Sequence, residues 1–303
     1  MGKKGKTGQK KGKENKLKGK EGFEAYYTSI FGERWNELKD AFTKENVYAR
    51  IFTEGKEDYF LDPASLFCAF QLPLENADRI LDMCAAPGGK TLVLAHRMKE
   101  DAFLQSNERS APRKARLLQV CDSSLDEQIR ERIKITNYDG ALMCKKETER
   151  FDAILLDAPC SSERHVFLDP KYLDQWSENR IKTLSMEQWA LVSSAWRLLA
   201  PGGYLLYSTC ALTPKENDEV ISRLLKKFDD AFLVYGNSGI PKNNDAAGNT
   251  SVPGLNPETA SVFAEFKEIP VFEKTAYGFH ILPDRSNGAG PIWFSLIGKK
   301  PEE

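Results

Sequence analysis

The sequence predicts an α/β fold built on a mostly parallel sheet. Short apolar runs alternate with helix-like patterns from residue 79 onward, and the runs end in polar or small residues. The runs are RILDMC (79–84), AFLQSN (102–107), IKITNYD (133–139), FDAILLDAP (151–159) and GYLLYSTC (203–210). Helices are expected over 90–99, 111–121, 183–199 and 215–227. Alternation at this spacing means right-handed crossovers, with helices on both faces of the sheet. Ligands of such sheets bind at the carboxyl ends of the strands, where the strand order reverses. Two final runs, near 277–282 and 291–298, predict an antiparallel hairpin at the sheet edge.

Ahead of this pattern, Phe23, Tyr26, Tyr27, Ile30, Phe31, Trp35, Leu38 and Phe42 recur at three- and four-residue intervals. That is one amphipathic helix, or a pair broken near Gly32. The stretch from Leu61 to Phe70 reads as a short helix with Asp62 as its cap and Pro63 at its first position. Together these make a helical N-terminal segment over 22–77, followed by a main domain over 78–303. Residues 236–257 are turn-formers with little apolar content, so a mobile surface loop is expected there.

Composition bounds the class. At 303 residues with 41% apolar, 11% aromatic and 29% charged content, the chain has enough material for a sizeable core. No uncharged apolar run approaches the ~18 residues of a membrane helix, and no apolar stretch follows the opening lysines, so a cytoplasmic protein is expected. Six scattered cysteines without a CxxC pair, and only three histidines, argue against a zinc site or disulfide scaffold. The net charge of −1 hides an asymmetry: residues 1–20 hold nine lysines and one glutamate, a local +8, leaving −9 on the other 283 residues. Residues 1–21 should therefore be a disordered Lys-rich tail, either an electrostatic contact for a phosphate backbone or simply solubilising.

Three segments carry chemistry. LDMCAAPGGKT (81–91) is a strand ending in a tight turn that opens a helix, and Gly88 and Gly89 permit close backbone approach there. It matches neither the dinucleotide nor the phosphate-loop fingerprint, which leaves a glycine turn beneath a nucleoside-like ligand. Glu108, after the next strand, stands where an acid binds a ribose, and Asp139 ends the third strand, ahead of Gly140. This pattern suggests S-adenosylmethionine. LLDAPCSS (155–162) and LLYSTCALTPKEND (205–218) are strands ending in Cys160 and Cys210. Neighbouring parallel strands lie ~5 Å apart, so two strand-end thiols can converge on one substrate atom. On residues alone this admits redox or acyl-transfer chemistry as well.

In that order and spacing, CAAPGGKT, DAPCSS and YSTCALTPKEN resemble the three motifs of Sun/Nop-type (RsmB/NOP) RNA (cytosine-5) methyltransferases, closest to compact members without a PUA domain. The resemblance covers about residues 60–228. It implies a Rossmann-like class I S-adenosylmethionine-dependent methyltransferase fold and a methyltransferase domain over 78–303. It gives cofactor-binding roles to Cys84, Ala85, Ala86, Pro87, Gly88, Gly89, Lys90, Glu108, Arg113, Asp139, Gly140 and Asp157. Glu108 replaces the family's usual aspartate, and Ala211 follows the thiol where the family commonly has serine.

The resemblance makes Cys210 the nucleophile, Cys160 the product-releasing cysteine, and Asp157 the residue that orients or protonates the base. Carbon 5 of cytosine is too weak a nucleophile to accept a methyl group directly, and a thiolate added at carbon 6 activates it. The implied substrate is ribosomal or transfer RNA, whose target base must leave its stack. Arg109, Arg113, Lys114, Arg116, Arg164, His165 and Lys171 are candidate RNA contacts. No metal is expected, and a protein partner is compatible with the chain. The competing reading is a ribosome-assembly or RNA-binding factor in which catalysis is secondary.

Overall fold

The computed structural model describes residues 18–235 and 270–302, together with the backbone of 243–244 and 250–251. The chain opens with α1 (Gly19–Phe31) and α2 (Arg34–Thr43), the broken pair, so Gly19–Glu21 belong to a helix and not to the expected tail. Their apolar faces close on one another: Phe23, Tyr27, Trp35 and Phe42 are buried, and Trp176 packs edge-on against Phe23. A hairpin follows that the sequence did not announce, β1 (Ala49–Ile51) paired antiparallel with β2 (Tyr59–Leu61). Next comes α3 (Pro63–Phe70), capped as expected: Asp62 Oδ1 accepts from the Ala64 and Ser65 amides at 2.7 and 3.3 Å.

The main sheet is then laid down. β3 (Arg79–Asp82), α4 (Gly89–Arg97), β4 (Phe103–Asn107), α5 (Ala111–Ser124), α6 (Glu127–Glu131) and β5 (Ile133–Thr136) make one parallel half. After α7 (Gly140–Met143) the chain returns to the other side of β3 as β6 (Phe151–Asp157). Three helices, α8 (Glu163–Leu168), α9 (Pro170–Asp174) and α10 (Glu178–Leu198), lead to β7 (Leu199–Thr209) and α11 (Asp218–Lys227). The expected helix over 215–227 thus starts at Asp218, with Glu216 and Asn217 in the turn before it. β8 (Ala231–Leu233) precedes a two-residue ladder between β9 (Asn243–Asn244) and β10 (Thr250–Ser251). The rest of the expected loop over 236–257 lies outside the described residues, as do residues 1–17. The chain ends with β11 (Glu273–Lys274), β12 (Phe279–Ile281) and β13 (Ile292–Lys299).

The sheet order is β11-β12-β13-β7-β6-β3-β4-β5, with β8 also on β13. The strands from β5 to β7 run parallel, and β13 adds antiparallel to β7. The expected terminal hairpin forms, but its second strand sits inside the sheet and only the first approaches the edge. Strand order reverses between β3 and β6, so the carboxyl ends of β3, β6 and β7 share one crevice. Two apolar layers hold the sheet. One includes α3, α4 and α5 residues such as Phe67, Leu92 and Leu117, and the other α10 and α11 residues such as Trp196 and Ile221. Among the described residues no helix is long and apolar enough to cross a membrane.

Candidate active site

The turn after β3 is built by backbone constraint. Gly88 has φ +124°, outside the range of L side chains, and a Cβ there would stand 2.9 Å from Val120 Cγ1 on α5. The turn forms one wall of a cavity of about 260 Å³ at the carboxyl ends of β3, β6 and β7. Cys84, Ala85, Ala86, Pro87, Gly89, Lys90, Asp157, Cys160 and Cys210 line it. Tyr59 and Leu61 of β2, Ser65 of α3, Asp82, Ala158 and Ile292 complete the wall, and the sequence assigns none of them a ligand role. Asp82 matters most: it is buried, Thr91 donates to its Oδ2 at 2.7 Å, and its Oδ1 has no partner. Burial pushes its carboxyl up to about 7. An orphaned acceptor beside a glycine turn suits a ligand that brings a hydrogen-bond donor.

The other predicted ligand residues stand at neighbouring strand ends, outside the cavity wall. Glu108 Oε1 accepts from the Ser110 amide at 2.7 Å, with Arg113 3.4 Å away. Arg113 in turn donates to the Ala86 carbonyl at 2.7 Å and so braces the glycine turn. Asp139 caps α7 through the Ala141 amide at 3.1 Å, and Gly140 opens that helix against Leu191. Asn107 ties the three strand ends together. Its amide donates to the carbonyls of Met83 and Tyr138 at 3.1 and 3.0 Å, and its Oδ1 accepts from Thr136 and the Tyr138 amide.

On the far wall the two predicted thiols meet. Cys160 and Cys210 Sγ lie 2.9 Å apart, and neither cysteine is in a disulfide. The register of β6 on β7 explains this, since Asp157 pairs with Ser208 and each cysteine follows its strand by a few residues. Ser162, at φ +57°, places its hydroxyl 3.3 Å from Cys210 Sγ and 3.6 Å from Cys160 Sγ. The Cys210 contact and burial push the Cys160 thiol well above the usual thiol range.

Asp157 uses both oxygens as acceptors, from Lys90 Nζ at 2.7 Å and Ser208 Oγ at 2.8 Å. Lys90 also donates to Ser65 at 3.3 Å. Burial, the largest single influence, works against its ammonium, but the charge and hydrogen bond of Asp157 together with Cys68 and Cys210 hold Lys90 above the ordinary lysine value. One wall therefore presents two thiols, and the next a charge-paired lysine and aspartate. That is an arrangement for adding sulfur to an electrophilic ring and balancing the charge that develops.

The basic residues named as RNA contacts are partly spent on structure. Arg164 donates to the carbonyls of Gly290 and Lys44 at 2.9 and 3.2 Å, and the His165 ring lies against Tyr172.

Over residues 69–266 the chain matches the family model described as 16S rRNA methyltransferase RsmB/F. It is 37% identical over 205 residues to the ribosomal RNA small subunit methyltransferase F of Cronobacter sakazakii, covering 68% of this chain and 41% of that protein. It is also 37% identical over 245 residues to the mitochondrial tRNA (cytosine(34)-C(5))-methyltransferase of Mus musculus, covering 80% of this chain and 64% of that one. The chain thus spans 41% to 64% of the length of these curated relatives. Among solved structures, a methyltransferase homolog from Pyrococcus horikoshii superposes with a TM-score of 0.64 at 20% identity, over 91% of this chain and 94% of that one. NSun6 from Pyrococcus horikoshii, solved with SFG, gives 0.58 at 20% identity over 82% and 55%. At those identities the likeness is one of fold.

Proposed function

We propose, from its membership of the 16S rRNA methyltransferase RsmB/F family, to which this chain belongs, that it methylates carbon 5 of a cytosine in RNA. The observation that carries the reading is the 2.9 Å approach of Cys160 and Cys210 on a cavity shared with Asp157 and Lys90. S-adenosylmethionine, when bound, supplies an electrophilic methyl group. The residues fit such a ligand. The turn Cys84–Lys90 offers close backbone approach, and Asp82 offers an unused acceptor. Glu108, Arg113, Asp139 and Gly140 extend the site along the neighbouring strand ends.

Cys210 attacks carbon 6 of the extruded cytosine as a thiolate, which makes carbon 5 nucleophilic. Charge then develops on the ring at nitrogen 3, and Lys90 lies beside Asp157 to stabilise it. Because both Asp157 oxygens accept hydrogen bonds, Asp157 orients the base through its amino group, and the proton-rich member of the pair is Lys90. Cys160, in contact with the nucleophile, removes the carbon 5 proton so that the bond to Cys210 breaks.

The curated relatives act on ribosomal RNA or on transfer RNA, and both classes are candidate substrates here. Six free cysteines suit a reducing compartment, which we take to be the cytoplasm. Radiolabelled methyl transfer onto fractionated total RNA, followed by mapping of the labelled nucleotide, tests the reading. Cys210→Ala should abolish the label, and Cys160→Ala should accumulate an RNA adduct that survives a denaturing gel. Full activity without Cys210 rejects the mechanism.

A further inference from the structure

Both cysteines sit on short loops, and loops need anchors if two sulfurs are to keep one spacing. The anchors are two fully buried carboxylates that reach past each other. Glu163 begins α8 just after Cys160, yet its Oε2 accepts from the Leu212 amide at 3.1 Å, on the loop after Cys210. Glu216 follows Cys210, yet its Oε2 accepts from the Ser161 amide at 3.0 Å, next to Cys160. Each acid therefore holds the other cysteine's loop.

Further contacts fix the flanks. The hydroxyls of Ser161 and Tyr27 both donate to Glu163 Oε1, which brings the N-terminal helix α1 into the network. Gln188 of α10 donates to Glu216 at 2.7 Å and to the Pro159 carbonyl at 2.9 Å. Asn217 brackets Cys210, accepting from Thr209 at 2.6 Å and donating to the Ala211 carbonyl at 2.8 Å. Between these fixed points Ser162 is held at φ +57°, a conformation that persists only where the surroundings over-determine it.

We propose that Glu163 and Glu216 are positioning residues, a reciprocal clamp that sets the separation of the Cys160 and Cys210 sulfurs and so times addition against release. The clamp rests on the methyltransferase reading for its purpose but not for its existence. Keeping acids there costs desolvation: burial pushes both carboxyls up, Glu216 to about 7 with Glu163 adding repulsion. A pair of neutral amides would avoid that cost. Both carboxylates nonetheless accept several donors at once, and the geometry of the two loops follows from that capacity.

The test reads sulfur proximity without RNA. In the full chain, diamide takes two electrons and two protons from a pair of close thiols, which become a disulfide while the reagent becomes a hydrazine. The Cys160–Cys210 disulfide is quantified by peptide mapping against time. Wild type should form it fastest, and Glu163→Ala and Glu216→Ala should slow it by about tenfold or more. Glu216→Gln keeps an acceptor for the Ser161 amide and should stay near wild type. Single-turnover methyl transfer should fall in the same order, with KM for S-adenosylmethionine unchanged. Should the alanine variants fail to fold, Glu216→Asp, one methylene too short for its span, should show the slowing instead. Folded variants that cross-link at the wild-type rate overturn the clamp. Cross-linking that follows the predicted order, in a protein that transfers no methyl group, keeps the clamp and removes the enzymatic reading.

Discussion

On the proposed mechanism, two cysteines of identical chemistry take different roles. Cys160 is crowded by Cys210 and by burial, so its thiol holds its proton far more tightly than a free one. A base that must lose its proton before it can act makes release the step favoured by alkaline conditions. With RNA and methyl donor present, the fraction of enzyme trapped as covalent adduct should fall as pH rises from about 7 to about 9, quantified on denaturing gels. An adduct level that climbs with pH assigns release to another group. Lys90 carries the second prediction at this scale. It is the buried cation against Asp157, and removing one preorganised electrostatic donor typically costs ~10²–10³ in rate. Lys90→Met should lose about that much in single-turnover methyl transfer, and Lys90→Arg should recover part of it. A rate within about threefold of wild type for Lys90→Met would show that the charge on the ring is balanced elsewhere.

Elements meet at the glycine turn, where α4 begins directly beneath the β1–β2 hairpin. A Cβ on Gly89 would lie 2.7 Å from Leu61 Cδ1 and 2.8 Å from Tyr59 Cε1, both on β2 and both on the cavity wall. Gly89→Ala should therefore displace the hairpin at a cost of ~1–3 kcal/mol, the usual range for overpacking. It should also weaken binding of the methyl donor, measurable by calorimetry beside urea unfolding. Unchanged binding and stability would mean that the hairpin yields freely.

That hairpin also marks the limit of what the sequence disclosed. The parallel strands were legible because buried strands read as apolar runs ending in polar residues; Asp157, Cys160 and Cys210 stood at or just past such ends, and Lys90 opened the helix after the glycine turn. β1 and β2 were not, being three residues each with mixed burial and no turn dipeptide of the hairpin kind. Glu163 and Glu216 were hidden for another reason. A buried acid looks like any surface acid until the fold shows which amides it faces. The placing of Glu108 and Asp139 beside the cavity, and not on its wall, likewise depends on rotamers and local caps that no spacing encodes.

Across the whole molecule, buried ionisable groups pull the stability in opposite directions with pH. Burial moves the Asp82 carboxyl from 3.8 to about 7, so the folded state holds that proton more tightly than the unfolded chain. Its contribution is complete below about pH 4 and is lost as pH rises toward 7; Glu216, pushed up to about 7, acts in the same sense. His280 is the counterweight. Burial lowers it from 6.5 to about 4, so its contribution is present above 6.5 and lost as pH falls toward 4. At ~1.4 kcal/mol for each tenfold change, Asp82 alone accounts for up to about 4 kcal/mol across its window. Two falling terms against one rising term leave a net loss, so wild-type stability should fall by about 3 kcal/mol between about pH 4.5 and 7. Asp82→Asn keeps an acceptor for Thr91 but removes the titration, leaving Glu216 and His280 to offset each other. Urea unfolding of this variant should show a nearly level profile over that window, losing at least about 1 kcal/mol less than wild type. Parallel curves for the two proteins would mean that Asp82 is ionised in the free fold, with water reaching the carboxylate through the cavity.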